Sequence, residues 1–178
     1  MKAGLRHGRI REAEISGAAV LLLIFILPCL IGLLGGFPLP EVLGFIVSIL
    51  VLQGLAAAAG TSLGLPAGFL LPLMVSVAAG VILGIYRICD LFSGRSQRVA
   101  RQIGKVRQLM EKHQNLSIYG EFMLILIMWI PGFGLYGTPV VAWILNWRGM
   151  RSVLLMLTGW ILACLFVIAM AAGIRAIL

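Results

Sequence analysis

Two carboxylates, Glu41 and Glu121, each stand ahead of a place where a long apolar run is interrupted. The first interruption is "QGLAAAAGTSLG", Gln53 to Gly64, and the second is "IPGFGLYGTP", Ile130 to Pro139. An acid carried toward a bilayer is costly, and when partly desolvated it can hold or release a proton near working pH. The interruptions offer a second kind of chemistry. Glycines and prolines break a helix, and the freed backbone groups must be withdrawn from lipid, against protein or along a cavity. The candidate substrate- or ion-binding residues are therefore Glu41, Gln53, Gly54, Glu121, Pro131, Gly132, Gly134, Tyr136 and Thr138. Glu121 leads directly into the second break and is the better proton carrier; Glu41 follows "PLP" and is expected to be wet. The chain shows no carboxylate pair, nucleophile–base set or phosphate loop at catalytic spacing, so an enzyme is not expected. His7 and His113 sit in basic segments without partners at ligand spacing, and no metal or cofactor is expected.

The elements that must position these residues follow from composition. The chain has 178 residues, 61% hydrophobic and 11% charged, with mean hydropathy +1.09. Soluble domains carry about 25% charged residues, so this is an integral membrane protein forming a single membrane domain over residues 1–178. The net charge of +8 does not point to nucleic acid. The basic residues cluster in the gaps between apolar segments, which is an orientation signal. Cys29, Cys89 and Cys164 are odd in number and widely spaced, arguing against a disulfide framework.

Four apolar regions divide the chain: Ile15 to Gly36, Glu41 to Tyr86, Phe122 to Trp147, and Val153 to Ile174. Residues 1–36 form a basic arm and an uncleaved transmembrane helix. Residues 88–114 read as a basic amphipathic helix, with Val99, Ile103, Val106 and Met110 at helical spacing. It suits the anionic leaflet of a bilayer, or serves as a plain cytoplasmic connector. The N-terminal arm, this loop, and Arg148 and Arg151 should all be cytoplasmic in a multi-pass cell-membrane protein. Both flanks of the third region are then cytoplasmic, so it must enter and turn back, with Glu121 to Ile130 as a half-helix and "PGFGLYGTP" at the tip. Glu41 to about Gly64 dips in from the other side, and Ala67 to Arg87 crosses. The expected fold is all-α and polytopic: transmembrane helices plus two oppositely oriented re-entrant helical hairpins in an inverted repeat, over 41–87 and 115–178. Trp143 and Trp147 are expected as interfacial anchors. Gly60, Gly64 and Gly68, and likewise Gly80 and Gly84, permit close helix contact within the monomer, with a homo-oligomer seam as the alternative.

The stretch "YGEFMLILIMWIPGFGLYGTPVVAWILNWRGMRSVLLMLTGWILA" resembles the C-terminal half of the small multidrug export family, a branch of the DedA-like membrane proteins. Tyr119, Gly120, Pro131, Gly132, Gly134 and Arg148 match its pattern, and Tyr136 keeps an aromatic at its tryptophan position. "GLAAAAGTSLGLPAGFLL" is similar to the exit of the family's first hairpin, and the likeness covers about residues 50 to 178. The chain departs where the family has an acid, an arginine and a proline around Gln53 and Gly54. It departs again at Phe133 and Gly137, where the family has threonines. The resemblance implies opposed re-entrant hairpins and export of small molecules.

The expected function is a small transporter exporting amphipathic or cationic solutes, proton-coupled through Glu41 or Glu121. Two alternatives stay open. One is a lipid translocase for anionic headgroups, using the partial positive charge of half-helix N-termini. The other is a non-transporting assembly partner, which the lost polar residues favour.

Overall fold

The computed structural model describes residues 17–62, 65–93, 114–147 and 149–177, and among them every regular element is helical. Four helices are long and apolar enough to cross a membrane: Gly17–Leu34, Leu39–Thr61, Ala67–Phe92 and Met150–Gly173. The chain is thus built for a bilayer, as its composition requires. Of the segment 88–114, residues 88–93 prolong a long helix and Gln114 opens the next; the amphipathic stretch itself lies outside the described residues.

Helix α1, Gly17–Leu34, is not regular. Its turn at Leu22–Ile26 is a π-helix, in which the Leu27 amide reaches Leu22 O. The next donor in that register would be residue 28, but Pro28 has no N–H. The Leu23 carbonyl is taken instead by Ser76, whose hydroxyl donates to it at 2.7 Å. Gly80 provides the room for this: a Cβ there would lie 2.5 Å from Ile24 Cγ1. Gly80 and Gly84 therefore seat α1 within one chain. The helix closes with Gly36 at φ +78° and with Phe37 N–H bonded to Gly32 O at 3.1 Å, a left-handed cap that suits glycine.

Helix α2, Leu39–Leu52, begins with Pro40 in its first turn and Glu41 beside it. Gln53 then takes φ 55°, ψ −128°, a conformation that an L side chain rarely occupies. A 3-10 turn, Gln53–Leu55, leads into α3, Ala56–Ser62. By length alone Leu39–Thr61 could cross a membrane, yet the chain doubles back at Gln53. A Cβ on Gly60 would stand 2.9 Å from the Phe45 ring, fifteen residues earlier on α2. Helix α4, Ala67–Ser93, follows as the long helix of this half and runs beyond the expected boundary at residue 87.

The second half has the same order. Helix α5, Gln114–Ile127, is about 21 Å long and starts seven residues before Glu121. That acid therefore sits within a helix and does not open one, as the sequence reading had it. The chain turns through residues 128–133 and returns as α6, Gly134–Ile144. Asn146, at φ 64°, caps α6: Trp147 N–H bonds Ala142 O at 2.9 Å and Asn146 N–H bonds Trp143 O at 3.2 Å. The cap folds Trp147 back onto Gly120, where a Cβ would lie 2.5 Å from the indole ring. Helix α7, Met150–Ile177, ends the chain.

Packing is exchanged between the halves. The returning arm α3 packs on α7, and the returning arm α6 packs on α4. The outgoing arms α2 and α5 rest on their own long helices, α4 and α7. One apolar core joins all of these, with Trp160, Ile46, Leu73, Leu124 and Leu135 fully buried.

Candidate functional site

The two backbone breaks meet. Gln53 is buried, and its side-chain amide donates to Gly132 O at 3.1 Å. The Tyr136 hydroxyl donates to Leu50 O. Leu50 is one of the last four residues of α2, whose carbonyls lack a following helical turn. Gly132, at φ 80°, lies in the turn before α6, where the helical ladder has likewise stopped. Each half thus supplies one side chain that satisfies a carbonyl released in the other. This reciprocity is the main geometric feature of the site.

The second turn is tightly built. Trp129 and Ile130 amides bond three residues back, to Leu126 and Ile127. Pro131 has no amide, and Phe133 and Gly134 both bond Ile130 O. Gly134 is tightly confined by its own helix pair: a Cβ there would fall 2.2 Å from Met128 O. Phe133 lays its ring on Gly137, where a Cβ would lie 2.3 to 2.5 Å from three ring atoms. Phe133 and Gly137 therefore form a matched pair, a large residue seated over a small one.

A space of about 60 Å³ remains beside this contact, lined by Gln53, Gly54 and Leu55 of one break and Met128 and Pro131 of the other. Trp160 of α7 also lines it, with an indole N–H that is buried and has no hydrogen-bond partner. The volume holds water, not a drug-sized solute. The last helix reads in sequence as a plain span, so Trp160 was missed; the Gly159–Trp160 step was the available signal. Gly159 brings α7 against the α5 backbone, since a Cβ would stand 2.8 Å from Ile125 O.

No family model, curated protein or solved structure matches the chain.

Gln53, Gly54, Pro131, Gly132 and Tyr136 come together, and Gly134 begins the returning helix behind them. The remaining candidates do not join them. Thr138 is fully buried within α6, and its hydroxyl has no hydrogen-bond partner. Glu121 lies 3.4 Å from Arg151 Nε and is 16% exposed, against 54% for the arginine. That approach is an ion pair without hydrogen-bond geometry, because Glu121 Oε2 is buried with no hydrogen-bond partner. Arg151 also lies over the Phe122 ring, 5.6 Å from its centroid. Glu41 is exposed and lines a separate cleft. Trp143 and Trp147 are not lipid-facing anchors: they are 5% and 8% exposed. Trp143 Nε1 donates to Asp90 at 2.8 Å, tying α6 to α4.

Proposed function

We propose that the chain is a small membrane transporter whose two doubled-back helix pairs are re-entrant hairpins, related as an inverted repeat and meeting inside the bilayer. The supporting observation is the reciprocal pair of hydrogen bonds, Gln53 to Gly132 and Tyr136 to Leu50. Broken backbone at membrane depth is tolerated only where protein or a cavity receives it. Paired discontinuous helices in corresponding positions are where secondary transporters bind their cargo. The exchanged packing of α3 on α7 and α6 on α4 agrees with two equivalent halves.

The cargo is an amphipathic or cationic solute moving outward. Among the described residues lining the tip space there is no basic side chain, which disfavours a lipid translocase for anionic headgroups. Glu121 lies away from the tips, paired with Arg151, so no proton carrier is assigned at the contact itself. The second reading, a non-transporting assembly partner, is favoured by one fact: the tips are closed, with only about 60 Å³ between them and α7.

Proteoliposome flux separates the two. With the native cysteines replaced, Gln53→Cys and Tyr136→Cys would be joined by a short thiol cross-linker. A transporter moves a fluorescent organic cation above the protein-free rate and stops when the tips are joined. Flux at the protein-free level, or flux indifferent to the cross-link, refutes transport through the tips.

A further inference from the structure

A cleft separate from the tip contact lies between α2, α3 and the start of α4. It encloses about 520 Å³, within the roughly 300–1,000 Å³ of small-ligand pockets. Its walls are apolar and aromatic, with Phe37, Phe45 and Phe69 among them. The Phe37 and Phe69 rings stand 4.5 Å apart, tilted by 38°. Glu41 is the one ionisable side chain among the described residues lining it. Ser48 also lines it, but its hydroxyl proton is already committed to Phe45 O at 2.7 Å. The polar side chains of the cleft therefore present oxygen acceptors and a negative charge, which suits a cation and repels an anion. Aromatic faces add attraction for positive charge.

Gly44 gives an independent observation. Glycine is unfavourable inside a helix, and Gly44 is in the middle of α2 without a packing reason: a Cβ there meets nothing within 4 Å. Gly44 lines the same cleft. What the missing side chain preserves is open volume.

We propose that this cleft binds an amphipathic organic monocation, its charged head at Glu41 and its apolar body among Phe37, Phe45 and Phe69. As the substrate site of a transporter it rests on the reading above; as a binding site it does not.

Full-length protein in nanodiscs of zwitterionic lipid would be titrated with tetraphenylphosphonium and with tetraphenylborate, ions of one shape and opposite charge, each corrected against protein-free nanodiscs. Wild type should bind the phosphonium at least about tenfold tighter than the borate, the charge-assisted contact being worth that factor. Glu41→Gln should remove the preference and Glu41→Asp should keep most of it. Gly44→Leu, which enters open space, should abolish phosphonium binding without lowering the melting temperature. Equal binding of the two ions, an unchanged Glu41→Gln, or wild-type affinity in Gly44→Leu overturns the proposal. So does a co-purified phospholipid that native mass spectrometry finds retained when the phosphonium is in excess. Binding as expected without flux in proteoliposomes removes the transport reading alone. Flux that survives Gly44→Leu removes the cleft alone.

Discussion

Replacing Gly134 with alanine tests the second helix pair at its tightest point. The added Cβ would sit 2.2 Å from Met128 O and 2.8 Å from Met128 C, where ordinary contact begins near 3.4 Å. Both obstacles are backbone, so no side chain can swing away. The start of α6 cannot simply lift off either, because Gly134 N–H is held on Ile130 O at 2.8 Å. Relief requires the turn to open by roughly an ångström, at the upper end of the ~1–3 kcal/mol that overpacking costs. Alanine recovers up to about 1 kcal/mol of helix propensity, leaving a net loss of about 2 kcal/mol. For a chain of this length that lowers the melting temperature by about 4–8 °C. Gly44→Ala is the control. It carries the same propensity gain into open space, and should raise the melting temperature by about 2–4 °C. Detergent-solubilised protein, followed by thermal size-exclusion or tryptophan fluorescence, gives both numbers. Gly134→Ala melting at or above wild type, or Gly44→Ala falling as far as Gly134→Ala, refutes the backbone clash as the cause.

Three further outcomes are expected. Gly137→Thr should cost about 1–3 kcal/mol against the Phe133 ring and much less in a Phe133→Thr background, so thermal double-mutant cycles should show coupling of about 1–2 kcal/mol; additive effects would dissolve the matched pair. Ser76→Ala should leave Leu23 O unpaired at a cost of about 1–3 kcal/mol, and Pro28→Ala, by returning an amide donor, should recover part of it in the same unfolding assay. With the native cysteines replaced, Ser93→Cys and Asn115→Cys should react with an impermeant thiol reagent only from the cytoplasm and Pro38→Cys only from outside; reaction of Ser93→Cys from outside overturns the charge-derived orientation.

The turn near Pro131 was legible because a proline removes its donor whatever surrounds it, but the tip was drawn too long: the returning helix α6 starts at Gly134 and runs through Pro139. The break at Gln53 was legible only as a region, since nothing in "QGL" announces that the glutamine, not the glycine, takes the positive φ. Partners across the fold were not legible. The Gln53 to Gly132 bond spans 79 residues, and no periodicity carries that information. The same limit explains Trp143 and Trp147. An aromatic near the end of an apolar run looks like an interfacial anchor, but the Asn146 cap turns Trp147 inward onto Gly120. The apparent correspondence of Glu41 and Glu121 failed because sequence distance to a break is not position in a helix. Helix α5 begins earlier than the charge pattern suggested, leaving Glu121 beside Arg151.

The exchanged hydrogen bonds bear on how the chain is made. Leu50 and Gln53 leave the ribosome well before their partners, which lie 86 and 79 residues further on. At roughly 5–20 residues per second, the first break waits about 4–17 s for the second to be synthesised. During that interval the Leu50 carbonyl and the Gln53 amide have no partner from the other half, and lipid offers none. On the proposed re-entrant arrangement, the first helix pair has to pause in a wet or proteinaceous setting, such as the lateral opening of an insertion machine. Its final insertion is then a late step, completed together with the second pair.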